Sequence, residues 1–357
     1  MSLHSNVAPP PPPEPPEPVS PDAALIRLYE GEGLDADAAE LLFGELVAGR
    51  LPETSIAAML IALRMKGETP AELTGAARAL RAADEPFPSP DYLFADSCGT
   101  GGDGSSSINV STAVAFVAAA AGLPIAKHGN RSVTSRCGSA DVLEQLGAKM
   151  DLDAALSRRA LDEAGICFLF APRYHPGLRH AGPVRRSLKV RTIMNMLGPC
   201  VNPAEPRVQL LGVADPALLQ PIAETLAALG VERALVVHGG GLDEIALHDE
   251  TQAVRVIEGR LERLIIRPED AGIERRPLEA LRGGGPEENA ERLKRLLMGS
   301  GAAAENDMVA LNAGALLETA GLTGSLREGV ALALDTIRSG ASYQRLKQFV
   351  EITHEAA

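Results

Sequence analysis

After Pro90 the chain alternates short apolar runs with helical stretches that close on glycine, and this alternation limits the folds open to it more than any other feature. Tyr92 to Ala95 leads through a loop to an alanine-rich stretch ending at Gly122, and Pro124 to Ala126 leads to a helix ending at Gly147. Ile166 to Ala171 follows a helix ending at Gly165, while Val208 to Val213 and Ala234 to Val237 bracket a helix over Leu218 to Leu229. Strand, helix, strand requires right-handed crossovers, so the pattern predicts an α/β fold with a mainly parallel central sheet flanked by helices. In such sheets the loops that follow the strands are the usual ligand sites.

Upstream the texture differs. From Ala23 to Ala83 apolar residues recur at three- and four-residue steps: Ala24, Leu25, Leu28 and Tyr29, then Leu41, Leu42, Leu46 and Val47, then Ile56, Met59, Leu60 and Leu63. Polar breaks at Gly31 to Gly33 and at Arg50 to Thr54 separate them. A small all-helical domain over 22–88 is predicted, ahead of an α/β domain over 89–357. Residues 1–21 carry the proline and glutamate run Pro9 to Pro18, which buries little apolar area and reads as a disordered, partly polyproline-like tail.

Hydrophobic residues make up 45% of the 357 and charged residues 23%, the balance of a globular enzyme rather than a disordered chain. A net charge of −13 argues against a nucleic-acid partner, which calls for a basic patch. No apolar run approaches the roughly 20 residues of a membrane span, and the start lacks the charged and apolar regions of a signal peptide. The stretch Thr112 to Gly122 is short and reads as a buried core helix. Cys98, Cys137, Cys167 and Cys200 form no CxxC pair, which suits reduced thiols in the cytoplasm.

Three segments carry chemistry. Asp96-Ser-Cys-Gly-Thr-Gly-Gly-Asp-Gly-Ser-Ser-Ser-Ile-Asn-Val-Ser-Thr packs four glycines into six positions between a strand and a helix, so backbone N–H groups can approach an anion closely. Asn109, Ser111 and Thr112 stand where helix caps are preferred and add donors at a helix N-terminus. Gly99, Gly101 and Gly104 formally match the dinucleotide fingerprint GxGxxG. That fingerprint needs an acid about 20 residues on, which Ala121 to Ala126 does not supply, and Asp103 would repel a bare pyrophosphate. A metal-bound diphosphate fits better.

The second segment, Lys127-His-Gly-Asn-Arg-Ser-Val-Thr-Ser, places two cations, an imidazole, an amide and hydroxyls after the next predicted strand. In the third, Val237-His-Gly-Gly-Gly-Leu-Asp-Glu-Ile, a strand ends in glycines and presents Asp243 and Glu244. Adjacent carboxylates beside phosphate suit Mg²⁺, which takes one or two protein carboxylates and keeps several waters.

With these segments the chain resembles the anthranilate phosphoribosyltransferase family, from about Leu25 to the C-terminus. The resemblance rests on Gly99-Thr-Gly-Gly-Asp, Asn109-Val-Ser-Thr, Lys127-His-Gly-Asn-Arg, Phe170-Ala-Pro-Arg-Tyr-His-Pro through Val184-Arg185, Arg191-Thr-Ile-Met-Asn-Met-Leu-Gly-Pro-Cys-Val-Asn-Pro and Gly241-Leu-Asp-Glu-Ile. It implies a fold of the nucleoside phosphorylase and phosphoribosyltransferase type, and transfer of a phosphoribosyl group from phosphoribosyl pyrophosphate to the amine of anthranilate in tryptophan biosynthesis.

By the same resemblance, Gly99, Gly102, Asp103, Ser107, Asn109, Val110, Ser111, Thr112, Lys127, His128, Gly129, Asn130, Arg131, Ser132, Val133, Thr134, Ser135 and Ser139 would surround the phosphoribosyl pyrophosphate. Ser111, Asp243 and Glu244 would serve Mg²⁺, with two ions per active site. Anthranilate would meet Gly99, Asn130 and Arg185, with His128 and His175 lining its path. Asp243, Glu244, Arg185 and Lys127 would carry catalysis. The family further implies a homodimer through the helical domain, helices added to that domain from about 186–205, and association with anthranilate synthase. Two positions depart from the family's pattern: Gly240 stands where a polar residue is common, and Ser97-Cys98 replaces a more apolar pair.

The implied reaction builds positive charge on ribose and negative charge on the leaving group, so it needs charge stabilisation and alignment. An arylamine is already neutral near pH 7, which explains why no acid–base pair stands out. Two rivals remain in view. A pyrimidine nucleoside phosphorylase would have a differently spaced glycine loop, and a non-catalytic nucleic-acid-binding relative would have a basic surface and eroded metal residues.

Overall fold

The computed structural model describes residues 20–132 and 136–355. The expectations placed on residues 1–19 of the tail and on Val133, Thr134 and Ser135 lie outside the described residues.

Four helices come first: α1 (Pro21–Tyr29), α2 (Ala36–Val47), α3 (Glu53–Lys66) and α4 (Pro70–Ala82). Side-chain oxygens of Ser20, Asp35 and Thr69 cap α1, α2 and α4, as residues of that type do at orphan N–H groups. Glu72 of α4 ties the end of α3 and the connection between α1 and α2 together from a buried position. It accepts from Leu34 N–H and Thr69 N–H and pairs with Lys66 Nζ at 2.9 Å, so its charge is fully engaged. The apolar stripes meet as their spacing predicts, with two exceptions. Tyr29 and Leu41 remain exposed, because they lie on helix faces turned away from the bundle core.

The α/β part runs β1 (Ala95–Gly99), α5 (Val110–Ala120), β2 (Ile125–Gly129), α6 (Ser139–Gln145), α7 (Ala154–Ala164), β3 (Ile166–Phe170), α8 (Ala171–Tyr174), α9 (Gly182–Leu188), α10 (Met194–Leu197), β4 (Val208–Gly212), α11 (Leu219–Ala228) and β5 (Arg233–Gly239). It closes with β6 (Thr251–Ile257), β7 (Arg260–Ile266), α12 (Pro286–Leu297), α13 (Ala303–Thr319), α14 (Leu326–Ser339) and α15 (Ala341–Thr353). One seven-stranded sheet has the order β3-β2-β1-β4-β5-β6-β7, the first five strands parallel and the last two antiparallel. Chain direction across the sheet reverses between β1 and β4. At that switch point successive loops part and leave a crevice.

Two cores sit on the two faces of this sheet. On one, α5 is buried on nearly all sides and packs with α13, α14 and α15. An apolar helix buried all round is what the Thr112 to Gly122 stretch predicts. On the other face α11 and the helical bundle share a core with Ala181, Val184, Ile193, Met194 and Leu197.

The first two strands differ from their expected limits. Asp96 to Gly99 belong to β1, and Lys127 to Gly129 to β2, rather than to the loops that follow. Polar residues enter the sheet here because partners await them. Asn202 Nδ2 donates to Asp96 Oδ2 at 2.9 Å and to Ala126 O at 2.8 Å, and Gln209 Nε2 donates to Pro199 O at 2.7 Å. Gln209 also lies 3.2 Å from Cys98 Sγ, so the Ser97-Cys98 departure is taken up inside the sheet.

Candidate active site

The ends of β1, β2 and β5 bring the three chemical segments together. Asp243 returns over the end of β1, where Gly101 N–H donates to its Oδ2 at 2.7 Å. This approach depends on absent side chains: a β-carbon at Gly99 would lie 2.3 Å from Asp243 Oδ2, and one at Gly212 would lie 1.6 Å from Asp243 O. Gly212, at the end of β4, drew no attention as a sequence feature, since its neighbour across the crevice is distant in the chain.

Asp103, Asp243 and Glu244 form an acidic group. Asp243 and Glu244 are half-buried. Burial first, then the nearby Asp103 carboxylate, pushes the Asp243 carboxyl up to about 7. Burial and then Asp243 hold Glu244 well above the ordinary carboxylate range, against the opposing pull of Lys127 and the Ser111 backbone N–H. Like-charged acids so placed favour a shared proton or a cation. Among the described residues no cluster of three or more His, Cys, Asp or Glu side chains is spaced to enclose a metal. Hard oxygen donors in small number still fit Mg²⁺, which completes its shell with water and phosphate.

Lys127 is buried in β2 and bridges two other segments, donating from Nζ to Ser97 O at 2.5 Å and to Ser111 Oγ at 3.2 Å. Asn109 starts α5, but its side chain makes no capping bond. Its amide donates to Cys137 O at 3.3 Å and its oxygen accepts from Asn289 Nδ2 at 3.0 Å, so it ties the loop to two other segments. Val110, Ser111 and Thr112 form the first turn of α5, with Val110 and Thr112 buried. Ser107 lies in a bridge to Arg282, while Ser105 N–H donates to Asp103 Oδ1 at 3.0 Å.

Beyond β2, Asn130 Oδ1 accepts from Arg131 N–H, and Asn130 O accepts from Ser139 Oγ at 3.3 Å. Asp141 Oδ2 accepts from Ser132 N–H and Gly138 N–H, which draws this loop onto the start of α6. Gly129 fits beneath Ser139 and Phe168. Arg131 turns outward to Glu144, 2.5 Å from Oε1, and over the Phe170 ring.

Arg185 lies on α9, half-buried, and desolvation lowers its affinity for a proton. Among the described residues no acid or carbonyl engages its guanidinium. Arg191 reaches the glycine loop: Nη1 donates to Gly101 O at 2.9 Å, and Arg191 O accepts from Arg64 of α3. Sequence reading passed over this link, because Arg191 stands within an arginine and lysine cluster typical of solvated surface. His128 and His175 meet through their Nε2 atoms at 2.9 Å.

Comparison with known proteins identifies both parts of the chain. Residues 91–343 match the glycosyl transferase family, a/b domain, and residues 23–83 match the glycosyl transferase family, helical bundle domain. An anthranilate phosphoribosyltransferase of Sorangium cellulosum (strain So ce56) is 59% identical over 335 residues, covering 94% of this chain and 96% of the relative. The solved anthranilate phosphoribosyltransferase of Thermus thermophilus superposes with a TM-score of 0.89 at 44% identity, covering 93% of this chain and 99% of that one. The Saccharomyces cerevisiae enzyme, solved in complex with PRPP and Mg, gives a TM-score of 0.84 at 26% identity over 93% of this chain and 98% of its own. With its glycine loop, buried lysine and paired carboxylates gathered at the switch point of the sheet, the chain belongs to the anthranilate phosphoribosyltransferase family.

Proposed function

We propose that this chain transfers the phosphoribosyl group of phosphoribosyl pyrophosphate to the amine of anthranilate, releasing pyrophosphate and N-(5-phosphoribosyl)anthranilate. Asp103 and Asp243 crowd together beside the Gly101 N–H, an arrangement that favours a cation and a polyphosphate at the mouth of the glycine loop. Gly99, Gly102, Asp103, Ser107 and the first turn of α5 would cradle the phosphates, with Lys127 through Ser132 and Ser139 closing the other side. Ser111, Asp243 and Glu244 would hold Mg²⁺, two ions per site. Bound there, Mg²⁺ would neutralise charge on the pyrophosphate oxygens.

Arg185, with no acid paired to it among the described residues, suits the anthranilate carboxylate, with Gly99 and Asn130 beside the ring and His128 and His175 along its path. The amine attacks the anomeric carbon as the bond to pyrophosphate breaks, and loses a proton once bonded. Alignment and charge stabilisation supply most of the rate. The division into a helical part, 22–88 with about 186–205, and a catalytic part, 89–357, is supported by the core that α9 and α10 share with the bundle.

A homodimer through the helical part is supported by an apolar groove of about 630 Å³ lined by Tyr29, Ala57, Ala58, Ile61 and Met65. Met65 and Tyr29 are exposed there, and a second copy would cover them. A cytoplasmic location accords with four free cysteines. Among the described residues no helix is long and apolar enough to cross a membrane. Association with anthranilate synthase is proposed on family membership alone.

The test is fluorimetric. Anthranilate should disappear when phosphoribosyl pyrophosphate and Mg²⁺ are both present, and persist when either is withheld. Persistence in the complete mixture, with phosphate-dependent cleavage of a pyrimidine nucleoside, would favour the phosphorylase.

A further inference from the structure

Asp84 follows α4 in the connection between the helical bundle and the sheet, and its carboxylate is buried against His175. The same connection is pinned by Glu85 N–H donating to Tyr174 O at 2.8 Å. From Asp84 a chain of contacts runs inward: Asp84 Oδ1 to His175 Nδ1, His175 Nε2 to His128 Nε2 at 2.9 Å, and His128 Nδ1 to Gly198 O at 3.2 Å. We propose that Asp84 is a positioning residue that holds the His175 ring in place and, through the His175–His128 contact, the His128 ring at the wall of the anthranilate pocket. This rests on the placement of anthranilate beside His128.

A carbonyl only accepts, so His128 bears its hydrogen on Nδ1. Burial, with His175 and Lys127 adding to it, keeps His128 neutral, which leaves its Nε2 a bare acceptor. His175 must therefore donate from Nε2. Its Nδ1 and the Asp84 carboxyl then hold one proton between them, either as imidazolium with carboxylate or as neutral imidazole with carboxylic acid. Both arrangements satisfy every contact in the chain, and removing the acid takes away the partner of the buried His175 Nδ1 that keeps the ring turned with its Nε2 towards His128.

Other charges near this chain do not substitute for Asp84. Arg81 of α4 and Glu205 face Asp84, but Arg81 already donates to Cys200 O at 2.9 and 3.2 Å and lies 3.9 Å from Glu205. Lys127 faces His128 but donates to Ser97 and Ser111. With both nitrogens of His128 committed, the ring acts as a fixed wall rather than a base. That suits an amine already neutral near pH 7.

Ring-nitrogen NMR of the full chain, assigned with H128Q and H175Q, tests the proposal alongside steady-state kinetics. Wild type and D84N should both show the signal of a His128 Nε2 that accepts a hydrogen bond, because the Asn amide can donate to His175 Nδ1 and keep that ring in place. D84A should lose that signal and raise KM for anthranilate about tenfold, the size of one net hydrogen bond, with kcat and KM for phosphoribosyl pyrophosphate within about twofold. An unchanged His128 signal in D84A overturns the proposal. A lost signal with unchanged KM for anthranilate instead overturns the placement of anthranilate beside His128, and with it the binding role of Asp84.

Discussion

Asp243 stands over Gly99 so closely that a β-carbon at position 99 would fall 2.3 Å from its Oδ2. The two lie at the ends of different strands, and the carboxylate is held in place by Gly101 N–H. Gly99→Ala should therefore displace Asp243 while sparing the distant cores. We expect a stability cost of about 1–3 kcal/mol from overpacking and a fall in kcat of about 10²-fold, comparable with loss of one electrostatic stabiliser. Melting curves and steady-state kinetics measure both. Wild-type kcat in this variant would show that Asp243 need not sit where it does.

Removing both Asp243 and Glu244 by alanine substitution should act on the transition state more than on substrate binding, because charge grows on the pyrophosphate as it departs. The variant should fold, lose at least ~10²-fold in kcat, and require a different Mg²⁺ concentration. Titrating Mg²⁺ in the kinetic assay decides this. Unaltered turnover and metal dependence would remove these residues from the metal site.

Arg185→Ala separates the two substrates. A charge-assisted bond contributes roughly 1.5–3 kcal/mol, so anthranilate use should weaken by about 10- to 150-fold while KM for phosphoribosyl pyrophosphate stays near wild type. Equal losses for both substrates would assign the guanidinium elsewhere.

The Asp243 carboxyl, pushed up to about 7 from an ordinary 3.8, fixes the sign of a pH effect. Between those values the folded chain binds more protons than the unfolded one. The stability tied to Asp243 is therefore greatest at low pH and is lost as the pH rises through about 7. Mg²⁺ competes with the same proton, so its stabilising effect should grow over that window. Melting temperatures with and without Mg²⁺ from acid to neutral pH test this. Asp103→Asn removes the like charge and should flatten the metal-free trend.

Met65→Glu tests the groove on the helical part. Met65 is 82% exposed, so a charge there costs the isolated chain little. Light scattering should report a dimer for the parent and a monomer for the variant. A variant that remains dimeric would place the contact elsewhere.

Local chemistry made part of this protein legible in its sequence. The glycine loop, the Lys127 run and the adjacent carboxylates each advertise a function within a few residues, and amphipathic spacing revealed the bundle. One local signal went unread: Glu258 and Gly259 both take positive φ and form the two-residue turn joining β6 to β7, a hairpin that adds two antiparallel strands to the sheet. Strand limits at β1 and β2 slipped because Asp96 and Lys127 look like loop residues. Only Asn202, Ser97 O and Ser111, brought from elsewhere in the chain, make them tolerable in a buried strand.

Tertiary structure alone decided the rest. Nothing near Gly99 in the sequence announces Asp243, nothing near Gly212 announces the same backbone, and Asp84, His128 and His175 lie on three separate segments. Hydrophobic periodicity reports which face of an element is buried. The order of strands in the sheet determines which loop ends share a crevice, and that order comes from the packing of both cores at once.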